Sequence, residues 1–319
     1  MDNLLQNDNI LNYPEAKWDV SGLFNFEQQF INLIEAGKNI FNCTLPIESI
    51  HGCYPLMWNN GRITNIDING DINFGPEPIL LNWANLNIGC YLTFSNHLIK
   101  EKEINDPSCN FLLNKLSEHN IRNLNGVIIS SDILSKYIRK KYPNLKQKAS
   151  IVKISVEKPN KRSFEYYNKL SKIFDIVMIH PDDNFNKPLI EKLSKNANKY
   201  EILINENCVK NCKVRHLHYK VIGEHSLKNW EGLFHFYNYT GEFEVGDIRC
   251  GRINYFNQDP KFRTNKRTCN LTYEELNDLY KMGFRHFKLQ GRSDTWTYIC
   301  FDFIRYAIKE SIGSLWFKS

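Results

Sequence analysis

No stretch of this 319-residue chain approaches the roughly 18 consecutive apolar residues that a membrane-spanning helix needs. The beginning, Met1-Asp2-Asn3-Leu4-Leu5-Gln6-Asn7-Asp8, has neither the basic leader nor the apolar core of a secretion signal. Both absences lead us to expect a cytoplasmic protein with no membrane partner. The Gly-rich phosphate loop, the Gly-x-Ser-x-Gly elbow and the His-Glu-x-x-His helix are missing as well, which removes three large enzyme classes. Repeats of roughly 20–50 residues are also missing, so the expectation is a single domain over 1–319. Excess charge is scarce: 41 basic against 35 acidic residues leave +6. That is too little to demand a nucleic-acid partner and not enough to exclude one.

What is present is an alternation. Apolar residues at 42% are ample for a core, and short β-type runs recur between helical patterns. The expected strands are Asn39 to Leu45, Ile88 to Phe94, Gly126 to Ser130, Lys148 to Ile154, Asp175 to Ile179, Glu201 to Asn205, a weaker Asp247 to Cys250, and Arg285 to Leu289. Several are almost wholly apolar, as parallel strands buried on both faces should be. Between them, Asp106-Pro107, Ser131 and Ser163 each read as a helix start, and Thr272 with Glu275 as a capping box before a stop at Gly283. Eight strand–helix units in a chain of this length favour an α/β TIM-like (β/α)8 barrel, distorted around the weak seventh unit, over a doubly wound sheet. The stretch from Pro46 to Asn87, rich in Gly, Pro and Asn, reads as a long insertion after the first strand, on the catalytic face.

Nine cysteines without a secretion signal point to metal or redox chemistry instead of disulfides. The densest group of reactive residues begins where the sixth expected strand ends: Asn205-Glu206-Asn207-Cys208, then Cys212, Arg215, His216 and His218. Two thiols three residues apart can reach one metal, and Lys210, Lys213 and Arg215 favour their thiolates. Cys250 and Cys269 fall at the same end of the expected barrel. The four together suit a 4Fe–4S cluster or, alternatively, zinc, with Cys53 as the substitute ligand. Two thiols on one turn can equally be small buried apolar groups. A radical-SAM site would continue with a further cysteine shortly after the pair, where this chain has Arg215. Glu206 is the general acid/base candidate, and Lys288 and Arg292 are candidates for clamping a substrate anion or closing ion pairs inside the barrel. Asn205, Arg215, His216, His218 and Gln290 complete the expected substrate contacts. Asp182 and Asp183 either face the site or cap the next helix.

The capped helix, Gly283-Phe284 and the run Lys288-Leu289-Gln290-Gly291-Arg292 resemble the ending of the collagenase-like peptidase family, and Cys208-x3-Cys212 with its basic neighbours is similar to that family's cluster cysteines. The likeness covers about the last third of the chain by motif and the rest by strand order. It implies a TIM-like barrel with a 4Fe–4S cluster that hydroxylates a small molecule or RNA without oxygen. By that resemblance Cys208 and Cys212 bind the cluster, and Lys288 and Arg292 hold substrate. It also leaves open a homologous partner subunit whose cluster or zinc is structural, and a zinc-dependent, peptidase-like hydrolase.

Overall fold

The structure is a computed structural model, and it describes residues 10–52, 54, 56–60, 75–228, 244–245, 248–249, 268–291 and 296–316. Eight parallel strands close a barrel: β1 (Lys17–Ser21), β2 (Ile47–Gly52), β3 (Gly89–Phe94), β4 (Gly126–Ile129), β5 (Lys146–Ala149), β6 (Ile176–Ile179), β7 (Tyr200–Leu203) and β12 (His286–Lys288). The last strand lies between β1 and β7, with Asp19 level with Lys288 and Lys288 level with Leu203. Two antiparallel pairs lie outside the barrel. β8 (Asn205–Val209) pairs with β11 (Thr268–Asn270), and β9 (Glu244–Val245) with β10 (Ile248–Arg249).

The helices are α1 (Glu27–Phe41), α2 (Glu77–Asn85), α3 (Pro107–Glu118), α4 (Asp132–Lys141), α5 (Ile151–Glu157), α6 (Phe164–Ser171), α7 (Lys187–Leu193), α8 (Arg215–Lys228), α9 (Tyr273–Lys281), α10 (Trp296–Ala307) and α11 (Glu310–Trp316). The caps read from sequence hold them. Asp106 accepts from the Cys109 N–H at 2.7 Å with Pro107 opening α3, Ser131 caps α4, and Ser163 caps α6. Thr272 and Glu275 form the reciprocal box of α9, and Gly283 takes the left-handed stop at φ +100°. None of the described helices is long and apolar enough to cross a membrane.

The barrel is as expected, but two strands are not where the sequence placed them. Asn39 to Leu45 is not the first strand. Phe30, Leu33, Ile34, Gly37 and Phe41 recur at helical spacing, so α1 runs through Phe41 and ends on left-handed Asn42. The true first strand is Lys17–Ser21. The segment 46–87 is not one long loop either: it contains β2 and α2, while residues 53, 55 and 61–74 lie outside the described ones. Lys148 to Ile154 divides at Ser150, whose hydroxyl accepts from the Val152 N–H and starts α5. The weak seventh expectation, around Ile248, belongs to the small β9–β10 pair and not to the barrel.

Packing explains the closure. Along β1, Trp18 and Val20 face the helices, and the Trp18 ring meets Phe287 and Phe303 at centroid distances of 5.6 and 5.9 Å. Each such ring buried contributes about 1.5–3 kcal/mol. Lys17, Asp19 and Ser21 alternate with them and turn into the lumen. Tyr91 fills the lumen where Gly126 has no side chain, since a Cβ there would stand 2.5 Å from the ring. Helix α8 lies over the C-terminal ends of the strands. Tyr219 packs with Ile151, Val152, Met178 and Leu203, and the Gly223 carbonyl accepts from Asn96 Nδ2 at 3.1 Å.

Candidate functional site at the barrel mouth

The C-terminal mouth gathers much of what the sequence singled out. Ile204 leaves β7 bonded to the Lys288 carbonyl, and the chain continues directly into β8. Cys269 on β11 is the cross-strand neighbour of Glu206 on β8, with a register shift next to it. This pairing, between residues 63 positions apart in sequence, brings the third thiol to the Cys208 segment. Cys208 and Cys212 are half-buried, and Cys269 is fully buried.

Arg215, the first residue of α8, enters this group and is 3% exposed. A single nitrogen, Nη2, makes its contacts: the Val209 carbonyl at 3.2 Å, Cys269 Sγ at 3.6 Å and Asp182 Oδ1 at 3.5 Å. Among the described residues Nε and Nη1 are buried without a partner. A charged donor buried unpaired costs at least about 1–3 kcal/mol, so the arrangement is poised for an anion. The thiols respond to it. A hydrogen bond from Cys208 brings Cys212 down to about 6, with the Val214 backbone and Arg215 assisting against burial. Cys208, as the donor, is pushed up by that bond and by burial, and burial also raises Cys269. Of the three thiols, Cys212 is the one shifted toward the thiolate.

Asp182 joins the group instead of only starting a helical turn. Its Oδ1 is 3.2 Å from Cys269 Sγ and accepts from the Asn211 N–H at 2.9 Å. Asp183 points elsewhere and takes a bidentate bond from Arg162 at 2.7 and 3.1 Å. Beside Asp182 opens a polar cleft of about 330 Å3, walled also by Lys161, Phe185 and Lys210. The Lys210 ammonium sits 3.5 Å above the Phe185 ring.

The remaining expected residues fall into three groups. Glu206 is buried at the site, its Oε1 accepting from the Cys208 N–H at 2.8 Å and from Gln290 Nε2 at 3.4 Å. Asn205 and Gln290 brace each other through bonds of 2.8 to 2.9 Å, with Asp302 holding the other side of Asn205, so they support the site's frame. His216 and His218 lie on α8, two residues apart on a helix, and so diverge; His218 stacks on Tyr219. Cys250, Arg292 and the substitute Cys53 lie outside the described residues.

Lys288 occupies the floor of the barrel, one layer below, in a group that no local motif announced. Asp19, 2% exposed, receives Lys288 Nζ at 2.7 Å and Lys148 Nζ at 3.1 Å on one oxygen, and His51 Nδ1 at 2.9 Å on the other. Lys148 also reaches Glu201 at 2.5 Å and lies 4.3 Å from the centre of the Tyr91 ring. Burial alone would raise Asp19, but Lys148, Lys288 and His51 hold it well below the usual carboxylate range.

Elsewhere Glu77, Glu118 and His119 bring donor atoms within 4.8 Å of one another. Lys115 bonds both carboxylates there, making the cluster a surface ion pair.

Taken together, fold and site define a (β/α)8 barrel with a polar lumen and a thiol-bearing mouth. No known family profile and no curated protein sequence matches the chain. Among solved structures, one described as "The Structure of the U32 Peptidase Mk0906" aligns over 86% of this chain and 92% of its own, at 11% identity and a TM-score of 0.48.

Proposed function

We propose that the mouth holds a thiolate-ligated 4Fe–4S cluster and that the chain is an iron–sulfur enzyme. The observation that carries this reading is Arg215, a buried guanidinium beside the cysteines with two nitrogens that have no partner among the described residues. A thiolate-ligated cluster is anionic, and Arg215 offers the compensating charge. Cys208, Cys212 and Cys269 would be ligands, with Cys250 the expected fourth. Zinc on the same thiols is the second reading, favoured by the Cys208–Cys212 hydrogen bond, which brings two sulfurs near the spacing of about 3.8 Å that Zn–S bonds of about 2.3 Å need. Among the described residues no three of these thiols and carboxylates lie mutually within 4.8 Å, so that spacing does not extend to a third ligand.

Bound there, a cluster supplies an iron site able to take part in redox chemistry. The reaction implied by the resemblance to the collagenase-like peptidases is oxygen-independent hydroxylation of a small molecule or RNA. Glu206, with one oxygen engaged by Cys208 and Gln290, is the proton carrier of this reading. Lys161 and Lys210 in the adjoining cleft favour an anionic substrate.

The test is to purify the protein without oxygen, assay iron, sulfide and zinc, and record the visible spectrum. Iron and sulfide in equal amounts, with charge-transfer absorbance lost in Cys212→Ala and Cys269→Ala alike, is the expected outcome. A colourless, zinc-bearing protein overturns it.

A further inference from the structure

The floor of the barrel carries chemistry that the thiol centre does not use. Asp19 presents one oxygen to two ammonium groups, and these nitrogens are therefore held close together in a nearly closed space. The two lysines are not equivalent. Lys148 has a second carboxylate, Glu201, and the face of Tyr91. Lys288 has only its share of Asp19, and it is the more open of the two at 7% against 3% side-chain exposure. It also lies at the C-terminal end of its strand, beneath the mouth. Two polar atoms in the same layer are buried without partners among the described residues, Ser49 Oγ and Glu201 Oε2. Ser49 is level with Asp19 on the neighbouring strand. The layer thus has hydrogen-bonding capacity left over for a ligand's hydroxyl group.

We propose that Lys288 is a reactive amine that forms a Schiff base with a small carbonyl compound, with Lys148 and Asp19 as its positioning partners. A lysine becomes nucleophilic when it is desolvated beside a second cation, and both conditions are met here. Burial pushes the Lys288 ammonium below its ordinary value and the neighbouring Lys148 adds to the effect, against the pull of Asp19 and Glu201. Lys148 moves the opposite way, as the member with two carboxylates should.

The bookkeeping of the step closes within the site. Lys288 first gives up one ammonium proton, and its freed lone pair forms the C–N bond while the carbonyl π pair moves onto oxygen, which takes that proton. A second nitrogen proton then joins the same oxygen, the C–O bond breaks to release water, and the nitrogen lone pair closes the C=N bond. The third stays on the iminium nitrogen, and no oxidant or reductant takes part. The substrate class is a small hydroxy-aldehyde or hydroxy-ketone, whose hydroxyl would donate to Glu201 Oε2 and bond the Ser49 hydroxyl. This inference does not rest on the cluster proposed for the mouth.

The experiment uses the full chain at neutral pH with glycolaldehyde as the carbonyl probe and cyanoborohydride to fix the imine, followed by peptide mapping. Lys102, whose side chain is 81% exposed, is the internal reference. The expected result is adduct on Lys288 several-fold faster than on Lys102, equalised once the chain is unfolded in urea. Labelling of Lys102 with Lys288 untouched or slower overturns the proposal. Lys148→Met is expected to slow Lys288 several-fold without affecting Lys102, and an unchanged Lys288 rate in a folded variant counts against the pairing. Because the wild-type map already decides the main point, a variant that fails to fold leaves the test intact.

Discussion

The floor and the mouth of this barrel treat buried charge in opposite ways. On the floor, Asp19, Lys148, Glu201, Lys288 and His51 come from five different strands and neutralise one another at 2.5 to 3.1 Å. At the mouth, Arg215 is buried as deeply, yet one nitrogen makes its contacts while two others have no partner among the described residues. The first arrangement pairs both ammonium groups and leaves over a carboxylate oxygen, Glu201 Oε2, and the Ser49 hydroxyl. The second leaves charged N–H donors unmet. Equal burial therefore conceals a difference in kind: spare acceptor capacity on the floor, spare cationic donors at the mouth.

Three substitutions would break or sharpen that contrast. Asp19→Asn should have the largest effect, because it leaves Lys148 and Lys288 facing each other without their shared carboxylate. Removing one partner of a buried ion pair costs about 3–5 kcal/mol, to be read from urea unfolding. Arg215→Met should behave differently at equal burial. In the metal-free chain it should change stability by less than about 1 kcal/mol or raise it, since it removes unpaired donors. In protein purified without oxygen it should sharply lower iron content. A loss of stability as large as that of Asp19→Asn would erase the distinction between the two regions.

The smallest effect belongs to the other end of the lumen, where Glu48 bonds Lys17 at 3.2 Å and His286 at 3.3 Å. Burial would raise Glu48, but these partners bring it down to about 2 from an ordinary 4.5. A carboxylate depressed in the folded state contributes stability above its unfolded value and loses it as pH falls through the folded one. Glu48→Gln should therefore flatten the acid limb of the stability curve between about 4.5 and about 2, and leave neutral pH almost unchanged. Thermal melts across that range in both proteins check it.

The two regions were also unequally legible in the sequence. The mouth was largely readable because Glu206, Cys208, Cys212 and Arg215 are close neighbours along the chain, and reactive residue types at short spacing stand out. Cys269 was legible as a thiol at the right end of the barrel, although its β11–β8 pairing was not. The floor was invisible. Asp19 and Lys288 are 269 positions apart, and no local pattern joins them. β1 and β2 were missed for a related reason. Lumen-facing Lys17, Asp19, Ser21, Ser49 and His51 interrupt the apolar runs by which buried parallel strands are usually recognised. The polar lumen that hides these strands is also what makes the barrel chemically interesting. Helix starts were read well because a cap is a local event: Asp106, Ser131, Ser163 and Thr272 each satisfy the N–H three residues on.

Gly126 bears on traffic through the barrel. Its missing side chain admits the Tyr91 ring to the lumen, and below that ring Glu48 ties Lys17 to His286. Among the described residues that end of the lumen is therefore filled by side chains, and a compound that reached Lys288 in the proposed reaction would come from the end where Lys288 closes its strand. Product leaving by the same end would delay the next reactant, so slow release would set the pace of turnover.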